Sequence, residues 1–72
     1  MYNLVSVTTI FKSGDKTLPY RLSGKWKTVK GALRAGEKFA LSLYKLYIEG
    51  SVNRFNVEIF DETGLFITNM AC

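Results

Sequence analysis

Five basic side chains, Lys25, Lys27, Lys30, Arg34 and Lys38, follow one another at intervals of two to four residues, and Lys45 comes seven residues later. Ammonium and guanidinium groups in such a series do one kind of chemistry, which is to neutralise phosphates or carboxylates. Lys30, Arg34, Lys38 and Lys45 repeat at four, four and seven, the spacing that gathers side chains on one arc of a helix. Like charges at that spacing repel by a few tenths of a kcal/mol per pair, and positive charge at a helix start opposes the helix dipole by a similar amount. An anion held by free amides at the helix start, beside Lys25, Lys27 and Lys30, would cancel both terms. A merely solvated helix face would use the same residues. Trp26, between Lys25 and Lys27, either stacks on a base or lies under a cation, or else buries its indole where strand hands over to helix.

Other chemistry is short of parts. Histidine is absent and Cys72 is the single cysteine, so no Ser-His or Cys-His nucleophile, cysteine metal cluster or internal disulfide can be assembled. Asp61 and Glu62 share a turn while Glu49 and Glu58 stand apart, which makes no metal site. Gly24-Lys25-Trp26-Lys27-Thr28 has the outline of a phosphate-binding loop, but Trp26 replaces the required Ser or Thr and Pro19 stands at the position of the loop's first glycine. The expectation is a protein that is not an enzyme and uses no metal and no cofactor.

The elements that must position the basic series follow from hydrophobic period. Leu4 to Lys12 alternates, with Val5, Val7, Thr9 and Phe11 on one side and Leu4, Ser6, Thr8 and Ile10 on the other, and predicts a strand. Ser13 to Lys16 is turn chemistry, and Leu18, Tyr20 and Leu22 would share a face of a return strand that Pro19 confines to a sheet edge. From Thr28 to about Ile48 the period becomes helical: Val29, Leu33, Gly36, Ala40, Leu43 and Tyr47 form the core stripe, widened by Ala32 and Phe39. Thr28 is the N-cap and Gly50 the stop. Gly36 lets helix and sheet approach closely. Gly31 falls away from the core, so either the helix starts after it or something outside comes near. Phe55, Val57 and Ile59 then alternate with Asn56, Glu58 and Phe60, Asp61 to Gly64 forms a turn with a left-handed glycine, and Leu65 to Met70 returns. The class is α+β: a two-layer ββαββ arrangement with a four-stranded, mostly antiparallel sheet and one long helix across one face. Periodicity does not specify the pairing order of the hairpins.

Two layers leave one sheet face uncovered. Phe60 belongs there, joined by Phe66 or by the pair Leu65 and Ile67, and aromatics on such a face stack bases or pack against a second copy. Leu41 and Ile48, seven apart, fall beside the basic arc with Tyr44 between them and the core. They either meet another protein chain or are covered by an end of the sheet or the 49–54 loop.

At 72 residues the chain makes a single domain, 1–72, with a small core that leaves room for a homodimer. A composition of 47% hydrophobic and 22% charged residues fits neither disorder nor a membrane span. The apolar run from Phe39 to Ile48 is broken by Ser42 and Lys45 and is far shorter than the roughly 20 residues a bilayer crossing needs. MYNLVSVTTIF lacks the features of a signal peptide, which predicts a cytoplasmic protein of a cell or an infected host. The net charge of +4 is uneven: residues 12–38 hold eight basic side chains against two acidic ones.

These features predict a small basic binding protein that contacts nucleic-acid phosphates, without strong sequence preference, through Lys25, Trp26, Lys27, Lys30, Arg34, Lys38 and Lys45. The alternative is a small adaptor or inhibitor, an accessory protein of the phage or plasmid type. It would dock on an acidic protein surface, or self-associate, through Leu41, Tyr44, Ile48 and Phe60.

Overall fold

The computed structural model describes residues 2–72. Its elements are β1 (Asn3–Phe11), β2 (Tyr20–Arg21), α1 (Val29–Tyr44), β3 (Val52–Asp61) and β4 (Phe66–Ala71). The sheet order is β2-β1-β3-β4 and every pairing is antiparallel, with α1 packed on β1 and β3. This is the expected ββαββ arrangement. It places the two hairpins side by side through their long first strands.

The β1–β3 register sorts the side chains. Val5 lies opposite Ile59, Val7 opposite Val57 and Thr9 opposite Phe55, and all six are buried. They form the helix side of the sheet, where Ala32, Gly36 and Ala40 of α1 complete the core. Each fully buried Val or Ile contributes roughly 1.5–3 kcal/mol. The fit is close: a Cβ on Gly36 would collide with Cγ1 of Val57 and lie 3.1 Å from Cγ1 of Val5. Gly36 therefore has the role expected of it.

Three expectations need correction. Leu18 does not fall into one alternating row with Tyr20 and Leu22, although it borders the same groove as Tyr20 and Phe39. Val7 pairs with Tyr20 and Ile10 with Lys16, so three steps along β1 match four on the returning chain. The surplus residue makes a bulge at Leu18-Pro19, which throws Leu18 out to 89% exposure.

The helix ends at Tyr44, short of Ile48. The amides of Leu46 and Tyr47 donate to carbonyls three residues back, which tightens the chain out of the α-helix. Tyr47 then sets its ring edge-on to Phe11, with centroids 5.2 Å apart. Gly50, at φ +83, turns the chain into β3 six residues beyond the helix end.

The helix does not start after Gly31. That glycine is the third helical residue, its N–H donates to Oγ1 of the N-cap Thr28 at 3.0 Å, and a Cβ there would lie 3.0 Å from that same oxygen.

Candidate functional site

The helix that carries the basic series starts as its sequence dictates. Thr28 has extended backbone, its hydroxyl accepts from the Gly31 amide and its carbonyl accepts from Ala32. The first-turn amides left outside this cap belong to Val29 and Lys30, and no acidic residue stands in the first turn. With Ala32, Gly36 and Ala40 buried, the 100° step per residue puts Lys30, Arg34 and Lys38 on the opposite side, and all three are exposed. They succeed one another by about 6 Å along the helix axis. Lys45, also exposed, is the C-cap, where a cation is favourable to the dipole.

The segment entering the helix is tied to the start of β1. Asn3 and Trp26 exchange backbone hydrogen bonds of 2.7 and 3.1 Å, and the Asn3 side-chain amide donates to the Trp26 carbonyl at 3.2 Å. This bridge turns Trp26 inward, where its half-buried indole packs against the core and beneath Gly24. Lys25 and Lys27 are exposed on either side of it. Lys25 Nζ lies 4.4 Å from the centroid of the Tyr2 ring and donates to its hydroxyl at 3.4 Å, so that ammonium is partly engaged by the chain itself.

The protein-contact residues do not form one patch. Leu41, 58% exposed, and Tyr44, the last residue of α1, border a groove of about 230 Å³ lined also by Val52, Asn53, Arg54, Phe55 and Cys72. Ile48 lies beyond the helix end at 84% exposure, and Phe60 is on the other side of the sheet. The expected alignment of Leu41 with Ile48 on one helix is thus corrected: three residues, 45–47, separate Ile48 from the helix. Burial and the negative charge of Glu37 push the Cys72 thiol up from its ordinary range, which keeps it protonated and poorly nucleophilic at neutral pH.

On the uncovered face Phe60 meets Phe66, edge to face at 5.8 Å, and Arg21 from β2 places its guanidinium 5.8 Å from the Phe60 centroid. A base stacking on Phe60 would have to displace Arg21. Arg21 and Tyr2 belong to the surroundings of the site residues, yet neither figures among the sequence-based candidates. Each meets its aromatic or basic partner across strands whose pairing no local pattern encodes.

Among the described residues no group of three or more acidic or cysteine side chains gathers where a metal could be held, and no helix is long and apolar enough to cross a membrane. The chain matches no protein-family model, no curated protein and no solved structure.

Proposed function

We propose that this protein is a non-enzymatic nucleic-acid-binding module that holds phosphates on the outer face of α1, largely without sequence preference. The observation that carries the reading is the exposed arc of Lys30, Arg34 and Lys38 opposite the buried stripe, continued by Lys27 before the helix and Lys45 at its end. Cations about 6 Å apart on a rigid helix suit a backbone of closely spaced phosphates, and nothing on the arc reads base edges. Trp26 enters as a support for Lys25 and Lys27 and not as a stacking platform, because its indole faces inward.

The experiment is a gel-shift series with DNA and RNA at two salt concentrations. If four of these cations each meet one phosphate of a duplex, log K falls with log salt at a slope of about −3.6, so a fourfold rise in salt weakens binding roughly a hundredfold. Joint replacement Lys30→Glu, Arg34→Glu and Lys38→Glu abolishes the shift and leaves the circular dichroism spectrum unchanged. Retained binding after that change rejects the reading.

One observation favours a second reading. The apolar groove beside Leu41 and Tyr44 gives an acidic protein partner a place to dock, with Arg54 at its rim. In that case Leu41→Asp breaks capture of the partner and spares any retention of nucleic acid.

A further inference from the structure

The two free edges of the sheet are built in opposite ways. The β2 edge is two residues long, broken by the bulge at Leu18-Pro19, and flanked by Lys16 and Arg21. Short length, proline, bulges and charge are the devices that keep a sheet edge from pairing with another chain. The β4 edge has a six-residue strand inside a run from Gly64 to Cys72 that contains no charged residue and no proline. Its one irregularity lies at the hairpin end, where Ile59 pairs with Thr68 and Phe60 with Phe66, which leaves Ile67 as the extra residue.

Beyond that bulge the ladder is regular. Cys72 and Phe55 exchange both backbone hydrogen bonds, at 2.9 and 3.1 Å. Antiparallel ladders alternate, so Met70 and Thr68 also face β3, while Asn69 and Ala71 turn their N–H and C=O groups outward.

We propose that β4 pairs antiparallel with β4 of a second copy of this chain, through the outward backbone groups of Asn69 and Ala71, to form a continuous eight-stranded sheet. Charge selects the occupant. In a chain of net charge +4 this edge is where two copies meet without bringing like charges together. Side-chain chemistry agrees with it. Asn69 Nδ2 donates to Asn56 Oδ1 at 3.1 Å on the uncovered face, which leaves the Asn69 carbonyl oxygen and a second amide hydrogen for the equivalent amide across a twofold axis. Pairing would extend the Asn56–Asn69 contact into a four-residue amide ladder. On the helix side α1 packs chiefly on β1 and β3 and Thr68 and Met70 are only half-buried, so the second copy's β4 also closes the open flank of the groove beside Leu41 and Cys72. The inference is independent of the reading of the basic helix face, since no residue of that face takes part.

The test is the molecular mass of the full chain by analytical ultracentrifugation over a range of concentrations. The expected mass is twice 8.1 kDa. Asn69→Lys, an exposed change that puts two ammonium groups beside the twofold axis, halves the mass and leaves the circular dichroism spectrum unchanged. Asn69→Pro deletes an outward N–H without touching the β3 ladder and also yields the single-chain mass. A chain that stays at 8.1 kDa throughout, including one that instead takes up an uncharged extended peptide along β4, overturns the proposal. So does a dimer whose mass Asn69→Lys leaves unchanged.

Discussion

The hairpin of β3 and β4 and the hairpin of β1 and β2 both turn through a glycine in the left-handed region, Gly64 at φ +92 and Gly14 at φ +95, but the ladders behind the turns differ. In the second hairpin Asp61 is an acceptor aimed at the returning chain: its carboxylate takes the Thr63 amide at 2.8 Å, the Leu65 amide at 3.0 Å and the Thr63 hydroxyl. That fan holds the chain up to the first residue before β4. In the first hairpin Ser13 and Asp15 bond to each other and leave the returning chain to find its own register. Both returns contain one surplus residue, Ile67 in the second hairpin and one at Leu18-Pro19 in the first, but the second continues as a six-residue strand whereas β2 amounts to two residues. A glycine reverses the chain in both; the longer ladder goes with the turn whose side-chain acceptor holds the returning amides.

The difference is steepest in the core. Ile59, fully buried on the outgoing strand of the second hairpin, faces α1, whereas Leu18, an apolar residue on the first hairpin's return, is almost wholly in solvent. Ile59→Ala costs about 2–5 kcal/mol of unfolding free energy, and Leu18→Ala stays within about 0.5 kcal/mol of the parent. Urea denaturation of the two variants checks this. Similar losses would mean that the first hairpin contributes a packed return strand after all.

A middle-sized effect belongs to the bulge itself. Where backbone pairing fails, the Thr9 amide donates instead to the Thr17 hydroxyl at 3.0 Å, and Thr9 is fully buried. Thr17→Val keeps the shape and removes the acceptor, which leaves that amide unpaired at a cost of about 1–2 kcal/mol. Amide exchange at Thr9 should speed up along with the loss of stability. If exchange there is unaltered, another group satisfies this amide.

How much of this could be read from residues alone depends on the distance over which a feature is decided. Thr28 as N-cap, Gly36 against the sheet and the Asp61–Gly64 turn are set by neighbours within one turn or one face, and periodicity and cap chemistry reach that far. The outward side of α1 is legible for the same reason: once Ala32, Gly36 and Ala40 face inward, Lys30, Arg34 and Lys38 must face outward. The early end of the helix is different, because it depends on Tyr47 finding Phe11, 36 positions away in the chain. The bulge at Leu18 depends on which registers β1 can offer. The contacts of Arg21 with Phe60 and of Lys25 with Tyr2 depend on strand order, which both hairpins left open. The spacing of Leu41 and Ile48 is helical, although nothing in that spacing says where a helix stops.

The smallest effect separates the turns by charge. Hydrogen bonds from the Thr63 hydroxyl and the Leu65 amide hold the Asp61 carboxyl below the usual carboxylate range. A carboxyl with a lower pKa in the folded than in the unfolded chain stabilises the fold above its unfolded value, and that contribution is lost as pH falls through the folded one. Asp61 lies at the surface and is only partly covered, so screening keeps the effect modest. Asn at this position keeps an acceptor oxygen in the same place without the charge. The thermal midpoint of Asp61→Asn should therefore lie slightly below that of the parent at pH 6, and the two should converge as the pH falls from the ordinary carboxylate value of about 4 through the lower one of the folded chain. A gap between parent and Asp61→Asn that stays constant down to pH 2 would show that shape, and not the carboxylate's charge, sets this turn apart.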